Sequence, residues 1–354
     1  MRGELSYFFG INKVFIIGAG FSLPAGMPLT NMLLPMIHKK ASEKEYFDTN
    51  GKEKMGQAKV LLEYLQYYYP ILDISHEKII NGEINDKVNL EEFLSFVAAE
   101  STFLGAGERF SEHGSKFLAF IKQWLGEIIY ENQLIKFNEI PEFYKSFIDQ
   151  IKNSLIITFN WDTLLENLFD AQNIKYRNQL NIDDHNYQER KKSIPLLKLH
   201  GSIDWFSKKN ENILNNNHFE DLGYGFNEII KYKGNLKNQY NNYKSPWIII
   251  PNYDKLNQLK EYGELWETPG RYFDDNLEII FIGFSFRKDD FHTRAFIYPK
   301  LVNGSKIGQF KIKVVDLAEN EESKKNIENK FLGIENCQFW FNGFNEESLK
   351  FIFD

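Results

Sequence analysis

Three polar side chains follow directly on short apolar runs, and their types suit a site that handles a sugar and a proton. Asn160 and Asp162 close Thr158-Phe159-Asn160-Trp161-Asp162, and His200 follows Leu196-Leu197-Lys198-Leu199. An Asn with an Asp two residues on offers an amide and a carboxylate to a sugar hydroxyl and a carboxamide. An imidazole changes charge near neutral pH and can take a proton from a ribose hydroxyl or from water. Gly201, beside the histidine, lets a ligand come close. Plainer readings stand next to these: Asn160 and Asp162 as N-caps of a helix over Thr163–Phe169, and His200 as a structural histidine.

Three further groups sit where a strand should end. Gly18-Ala19-Gly20-Phe21-Ser22 follows Lys13–Ile17, the setting in which glycines permit a tight turn and a helix start faces an anion. Alone the pattern is weak, since a plain strand-to-helix turn has the same look. It lacks the third glycine of dehydrogenases, and no acidic residue ends a second strand about 20 residues on, which disfavours an NAD-dependent dehydrogenase. Gly283 and Ser285 follow Glu278–Ile282, where close backbone contact with a dinucleotide competes with a simple turn capped by Asp289. Asp316 ends Lys311–Val315, as a holder of ribose or adenine or as a solvated strand-end acid.

The elements that must position these residues are short β-branched runs covered on both faces, as in a parallel sheet. They are Lys13–Ile17, Leu155–Phe159, Leu196–Leu199, Trp247–Ile250, Glu278–Ile282 and Lys311–Val315. Helical spacing governs Lys59–Tyr69, Leu90–Phe103 and Lys116–Glu131, which predicts a helical insertion over residues 31–150. The Asn-, Lys- and Tyr-rich stretch 207–245 reads as a surface excursion, and 320–354 as a helix and a final edge strand. The predicted fold is α/β: one domain over 1–354, a Rossmann-type, mostly parallel sheet with a large helical insertion after the first strand and a second, irregular one.

Bulk properties exclude several function classes. The net charge, 42 − 49 = −7, argues against direct binding of nucleic acid. A single cysteine, Cys337, builds neither an internal disulfide nor a multi-cysteine zinc site, and no histidines pair at metal-ligand spacing, so no metal is expected. No apolar run approaches about 18 residues and the N-terminal residues do not have the pattern of a secretory signal, so no membrane contact and a cytoplasmic location are expected.

Taken in order, Gly18-Ala19-Gly20-Phe21-Ser22 with Gly26-Met27-Pro28, then Phe159-Asn160-Trp161-Asp162, His200-Gly201 and Gly283-Phe284-Ser285 resemble the sirtuin superfamily. The likeness runs from Val14 to Asp316. It implies that Asn160 holds the nicotinamide ribose and the reactive water, that His200 is the base, and that Asp162 meets the carboxamide. Gly18–Ser22, Pro28, Gly201 and Gly283–Ser285 would border the phosphates and the adenosine half. Protein-deacylating sirtuins differ: they carry Asp-Phe-Arg where this chain has Leu29-Thr30-Asn31, Gln where it has Phe159, and four zinc-binding cysteines. With these departures the chain looks like the bacterial sirtuin-like proteins of anti-phage defence. That resemblance implies an enzyme hydrolysing NAD+ to nicotinamide and ADP-ribose, or cyclising the latter, with activity gated by homo-oligomerisation or by a partner such as a HerA-type ATPase. The competing readings are an NAD-dependent deacylase or ADP-ribosyltransferase, and a non-catalytic NAD or ADP-ribose sensor.

Overall fold

A computed structural model of the 354-residue chain describes residues 11–47, 54–103, 111–136, 139–180, 192–208, 213, 229–250, 266, 269, 277–284, 286 and 291–354. Its strands, in chain order, are β1 (Lys13–Ile17), β2 (Glu45–Phe47), β3 (Lys54–Gly56), β4 (Ser154–Thr158), β5 (Tyr176–Arg177) and β6 (Ile194–Lys198). They continue with β7 (Trp205–Ser207), β8 (Ile229–Lys231), β9 (Leu277–Ile282), β10 (Phe310–Val315) and β11 (Cys337–Trp340). The chain divides into two compact units. The first comprises Met1–Met27, Gln133–Gly201 and Tyr262–Asp354; the second comprises Pro28–Asn132 and Ser202–Glu261.

The first unit is built on a seven-stranded sheet of order β11-β10-β9-β1-β4-β6-β5. Every pair in it is parallel. The central strands are apolar because both faces are covered: Val14–Ile17, Leu155–Ile157 and Ile279–Ile282 are buried. One face packs on a core that includes Phe15, Phe21, Phe147, Ile156, Ile282 and Phe344. From β1 the chain first builds outward through β4, then returns to the other side of β1 with β9. The carboxyl ends of β9, β1 and β4 therefore flank the point where strand order reverses, the place at which open α/β sheets bind ligands.

The α/β class and the parallel sheet agree with the sequence, but three elements differ. Trp247–Ile250 is buried yet joins no named strand; Trp247 donates to Trp205 O at 2.7 Å and accepts from Ser202 N at 3.2 Å. A short apolar run is compatible with burial in any backbone form, and here Trp247 bonds to Ser202 and to Trp205 at the start of β7. β5 is two residues long and has no pattern to read. The chain ends in a helix, Glu346–Phe353, after β11 instead of in a strand; Asn345 and Ser348 form its capping box, and Leu349 and Ile352 are buried.

The second unit is mainly helical, with Leu33–Ser42, Gln57–Tyr68, His76–Ile80, Leu90–Phe103, most of Ser111–Lys136, and Leu236–Asn241. Two antiparallel ribbons, β2–β3 and β7–β8, accompany them. Much of the 207–245 stretch, at 209–212 and 214–228, lies outside the described residues. Among the described residues, no helix is long and apolar enough to cross a membrane.

Candidate functional site

At the end of β1 the two glycines pack against a third. A Cβ on Gly18 would lie 2.6 Å from Gly283 O, and one on Gly20 would lie 2.6 Å from Gly283 Cα. Gly283 itself has φ +57°, and a Cβ there would meet Gly20 Cα at 2.3 Å. The close approach that glycine permits is thus made first between two loops of the protein. Their amides are also engaged: Gly18 N donates to Ile282 O and Gly20 N to Gly283 O, each at 3.0 Å, while Phe21 N bonds Gly18 O. Ala19 is exposed. The Phe21 side chain is buried, stacked on Phe344 with ring centroids 4.8 Å apart, so it belongs to the core.

Ser22 joins this turn to the end of β4. The Asn160 amide donates from Nδ2 to Gly18 O at 2.9 Å and to Ser22 Oγ at 3.0 Å. Ser22 Oγ in turn donates to Asp162 Oδ2 at 2.9 Å. A main-chain carbonyl only accepts, so Asn160 must face Gly18 with its NH2, and both amide hydrogens are used. Oδ1 is the atom left to meet a ligand; among the described residues no donor reaches it. Asp162 also accepts from Leu164 N at 3.0 Å through Oδ1, so it supports the start of the helix Leu164–Ala171, whereas Asn160 does not.

The turn that carries these two residues is held from beneath. Gln133 clamps Thr163, donating to its Oγ1 at 2.6 Å and accepting from its N–H at 3.0 Å. Lys198, on β6, is fully buried, and its ammonium reaches Asp162 O at 2.5 Å and Glu166 Oε1 at 2.9 Å. Burial pushes the Asp162 carboxyl above the ordinary aspartate range; the Lys198 ammonium and the bonds from Leu164 and Ser22 oppose the rise, and Glu166 adds to it.

β6 brings His200 to the same level. Thr158 and Lys198 are register partners on adjacent strands, so Asn160 and His200 each stand two residues past that pair. Phe159 meets the imidazole edge-on at 5.0 Å, stacks on Phe284 at 4.6 Å, and lies 6.0 Å from Trp266. Trp266 is 6.3 Å from His200, and among the described residues its buried Nε1 has no hydrogen-bond partner. Gly201 has φ +74°, which a side chain would disfavour. Asp316 follows β10; burial raises its carboxyl, against a bond from Leu317 N at 2.9 Å and the nearby Lys330. Pro28 opens the second unit, and Ser285 lies outside the described residues, as does Asp289.

Asn160, Asp162, His200, Gly18, Gly20, Ser22 and Gly283 therefore stand on adjoining strand ends of one sheet. Trp266, Lys198, Glu166 and Gln133 escaped the sequence reading. A lysine within an apolar strand is a signal that could have exposed Lys198; Trp266 and Gln133 stand in no recognisable motif.

A parallel sheet whose switch point is lined by glycines and by Asn, Asp and His has the layout at which open α/β sheets bind ligands. The family model described as SIR2-like domain matches residues 154–298. It begins at β4 and takes in Asn160, Asp162, His200 and Gly283, and it supports a sirtuin-like protein with NAD-related activity. No curated protein matches the chain. Among the described residues, no group of three or more His, Cys, Asp or Glu could hold a metal ion.

Proposed function

We propose that the first unit binds NAD+ and cleaves its nicotinamide–ribose bond, releasing nicotinamide and ADP-ribose, and that this depletes NAD+ during anti-phage defence. The observation that supports the reading is the chain Asn160–Ser22–Asp162, which uses both hydrogens of the Asn160 amide and leaves its Oδ1 as an acceptor. Held in this way, Asn160 orients a water or a ribose hydroxyl with little reorganisation as positive charge develops on the sugar. Asp162 supplies a carboxylate for the carboxamide end. His200 takes a proton as the attack proceeds. Phe159, Phe284 and Trp266 form an apolar wall that keeps bulk water from the reacting centre.

The glycine turns, with Ala19, Ser22 and Gly201, border the phosphates, and Asp316 accepts from a ribose hydroxyl. No metal enters the reaction. Activity in the cytoplasm is gated by self-assembly or by a partner such as a HerA-type ATPase.

The test is chromatographic measurement of nicotinamide and ADP-ribose released from NAD+ by the purified protein, alone and with its genomic neighbour. Asn160→Ala and His200→Ala should each lower the rate by about a hundredfold or more. Release that proceeds only with an acetylated peptide would move the activity to deacylation. No release under any of these conditions, with NAD+ still bound, would make the protein a sensor.

A further inference from the structure

Lys198 is an expensive residue to place inside a sheet. Its side chain is wholly buried on β6, in a strand whose other members are Ile194, Pro195, Leu196 and Leu197. A strand of this kind is satisfied by an apolar side chain, and a buried ion pair is weak support for stability when an apolar pair of similar volume would serve as well or better. The ammonium is nevertheless directed to one place. It donates to the main-chain carbonyl of Asp162 at 2.5 Å and is braced by Glu166 Oε1 at 2.9 Å. Glu166, from the helix Leu164–Ala171, is buried as well. Around the same turn, Gln133 holds Thr163 from both sides of its amide, and Ser22 holds the Asp162 carboxylate. The main chain from Asp162 to Leu164 is thereby bonded at successive residues: by Lys198 at the Asp162 carbonyl, by Gln133 at Thr163 N and by the Asp162 carboxylate at Leu164 N.

We propose that Lys198, braced by Glu166, is a positioning residue: it pins the peptide at Asp162 and so fixes the angle at which Asn160 and the Asp162 carboxylate meet the ligand. The inference rests on the NAD+ reading of Asn160 and Asp162 for its kinetic consequence, but not for its structural one. The pair also sets the charge of the Asp162 carboxyl, which faces Lys198 from β6, Glu166 from its own helix and Tyr144 from the helix Phe143–Gln150. Lys198 favours the ionised form and Glu166 opposes it. Removing the lysine must shift the carboxyl further up, so an activity that needs ionised Asp162 would fail at a higher pH. Removing the glutamate charge alone acts in the opposite direction.

The double variant Lys198→Met with Glu166→Leu replaces both charges by apolar groups of similar size and should fold. Amide hydrogen exchange of Thr163 and Leu164, measured without ligand, should become at least about tenfold faster, because the bonds of these amides to Gln133 and Asp162 depend on the pinned turn. In NAD+ cleavage, kcat should fall by about tenfold or more with a smaller change in KM, and the acid limb should move to higher pH. Lys198→Arg should restore most of the rate. Should the double variant not fold, Glu166→Gln, which keeps a neutral acceptor for the ammonium, must move the acid limb to lower pH. Wild-type exchange at Thr163 and Leu164 in the folded double variant overturns the proposal, as does an unmoved acid limb in Glu166→Gln. Faster exchange in the variant beside a wild type that releases no nicotinamide leaves the positioning role standing and removes only the NAD+-cleaving activity.

Discussion

At the scale of single residues, two side chains carry free-energy costs that their packing does not repay. Trp266 keeps an N–H buried beside His200 with no partner among the described residues. An orphaned donor costs about 1–3 kcal/mol, and phenylalanine would avoid it. On the proposed NAD+ reading, an acceptor on the ligand satisfies this donor. Trp266→Phe should therefore raise KM for NAD+ by about tenfold, the value of roughly one hydrogen bond, with a thermal midpoint close to wild type. An unchanged KM would make the indole a packing residue only; Trp266→Ala, which removes the wall, should lose stability as well. Asp162 is the second case, since burial disfavours its charge. Asp162→Asn keeps an oxygen for Leu164 N and removes that charge. Its unfolding midpoint at pH 7 should hold or rise, by up to about 2–4 °C, while nicotinamide release falls. A lower midpoint would show that the bonds from Ser22 and the pull of Lys198 outweigh burial.

At the scale of elements, the site depends on how two strand ends fit together. Gly283 has φ +57° and is in backbone contact with Gly20, whereas Gly308 has φ +73° with nothing near its missing Cβ. Gly308→Ala meets only the left-handed strain, about 1–2 kcal/mol, and Gly283→Ala meets that strain plus an overlap with main chain that cannot rotate away. Denaturant melts should show a loss at Gly283 that exceeds the loss at Gly308 by about 1 kcal/mol or more, and only the first should impair NAD+ binding. Equal losses would mean that the two loops can separate. The same contrast explains what was legible in the sequence. β1 and the helix Leu90–Phe103 were read with their observed ends, because an unbroken β-branched run and a helical period are local signals. Asn160, Asp162 and His200 were found because each follows such a run. Lys198 and Gln133 were missed because their role arises only when β6 and the last turn of Ser111–Lys136 reach the Asp162 turn. Trp247–Ile250 was misread since burial alone does not make a strand.

At the scale of the whole molecule, two buried carboxyls in the first unit and a buried histidine in the second respond to acid with opposite signs. In the first, burial holds the Asp162 and Asp316 carboxyls above their ordinary values, so these groups favour the folded state more as pH falls toward the usual aspartate range. In the second, His38 is buried on the helix Leu33–Ser42, with its Nε2 2.6 Å from Nδ1 of His76. Burial, and next the His76 charge, lower the His38 pKa from 6.5. A base with a depressed folded value contributes stability that is intact above pH 6.5 and is lost as pH falls through the folded value. Acidification from pH 7.5 to about 5.5 should therefore loosen the second unit while the first keeps its protection. Peptide-level amide exchange, corrected for the intrinsic pH dependence, reads the two separately: Leu33–Ser42 and His76–Ile80 should gain exchange, and β1, β4 and β9 should not. His38→Leu removes the titrating group, and its exchange in Leu33–Ser42 should be nearly independent of pH across that window. Equal protection of Leu33–Ser42 at both pH values in the wild type would show that the acid response of the molecule lies elsewhere.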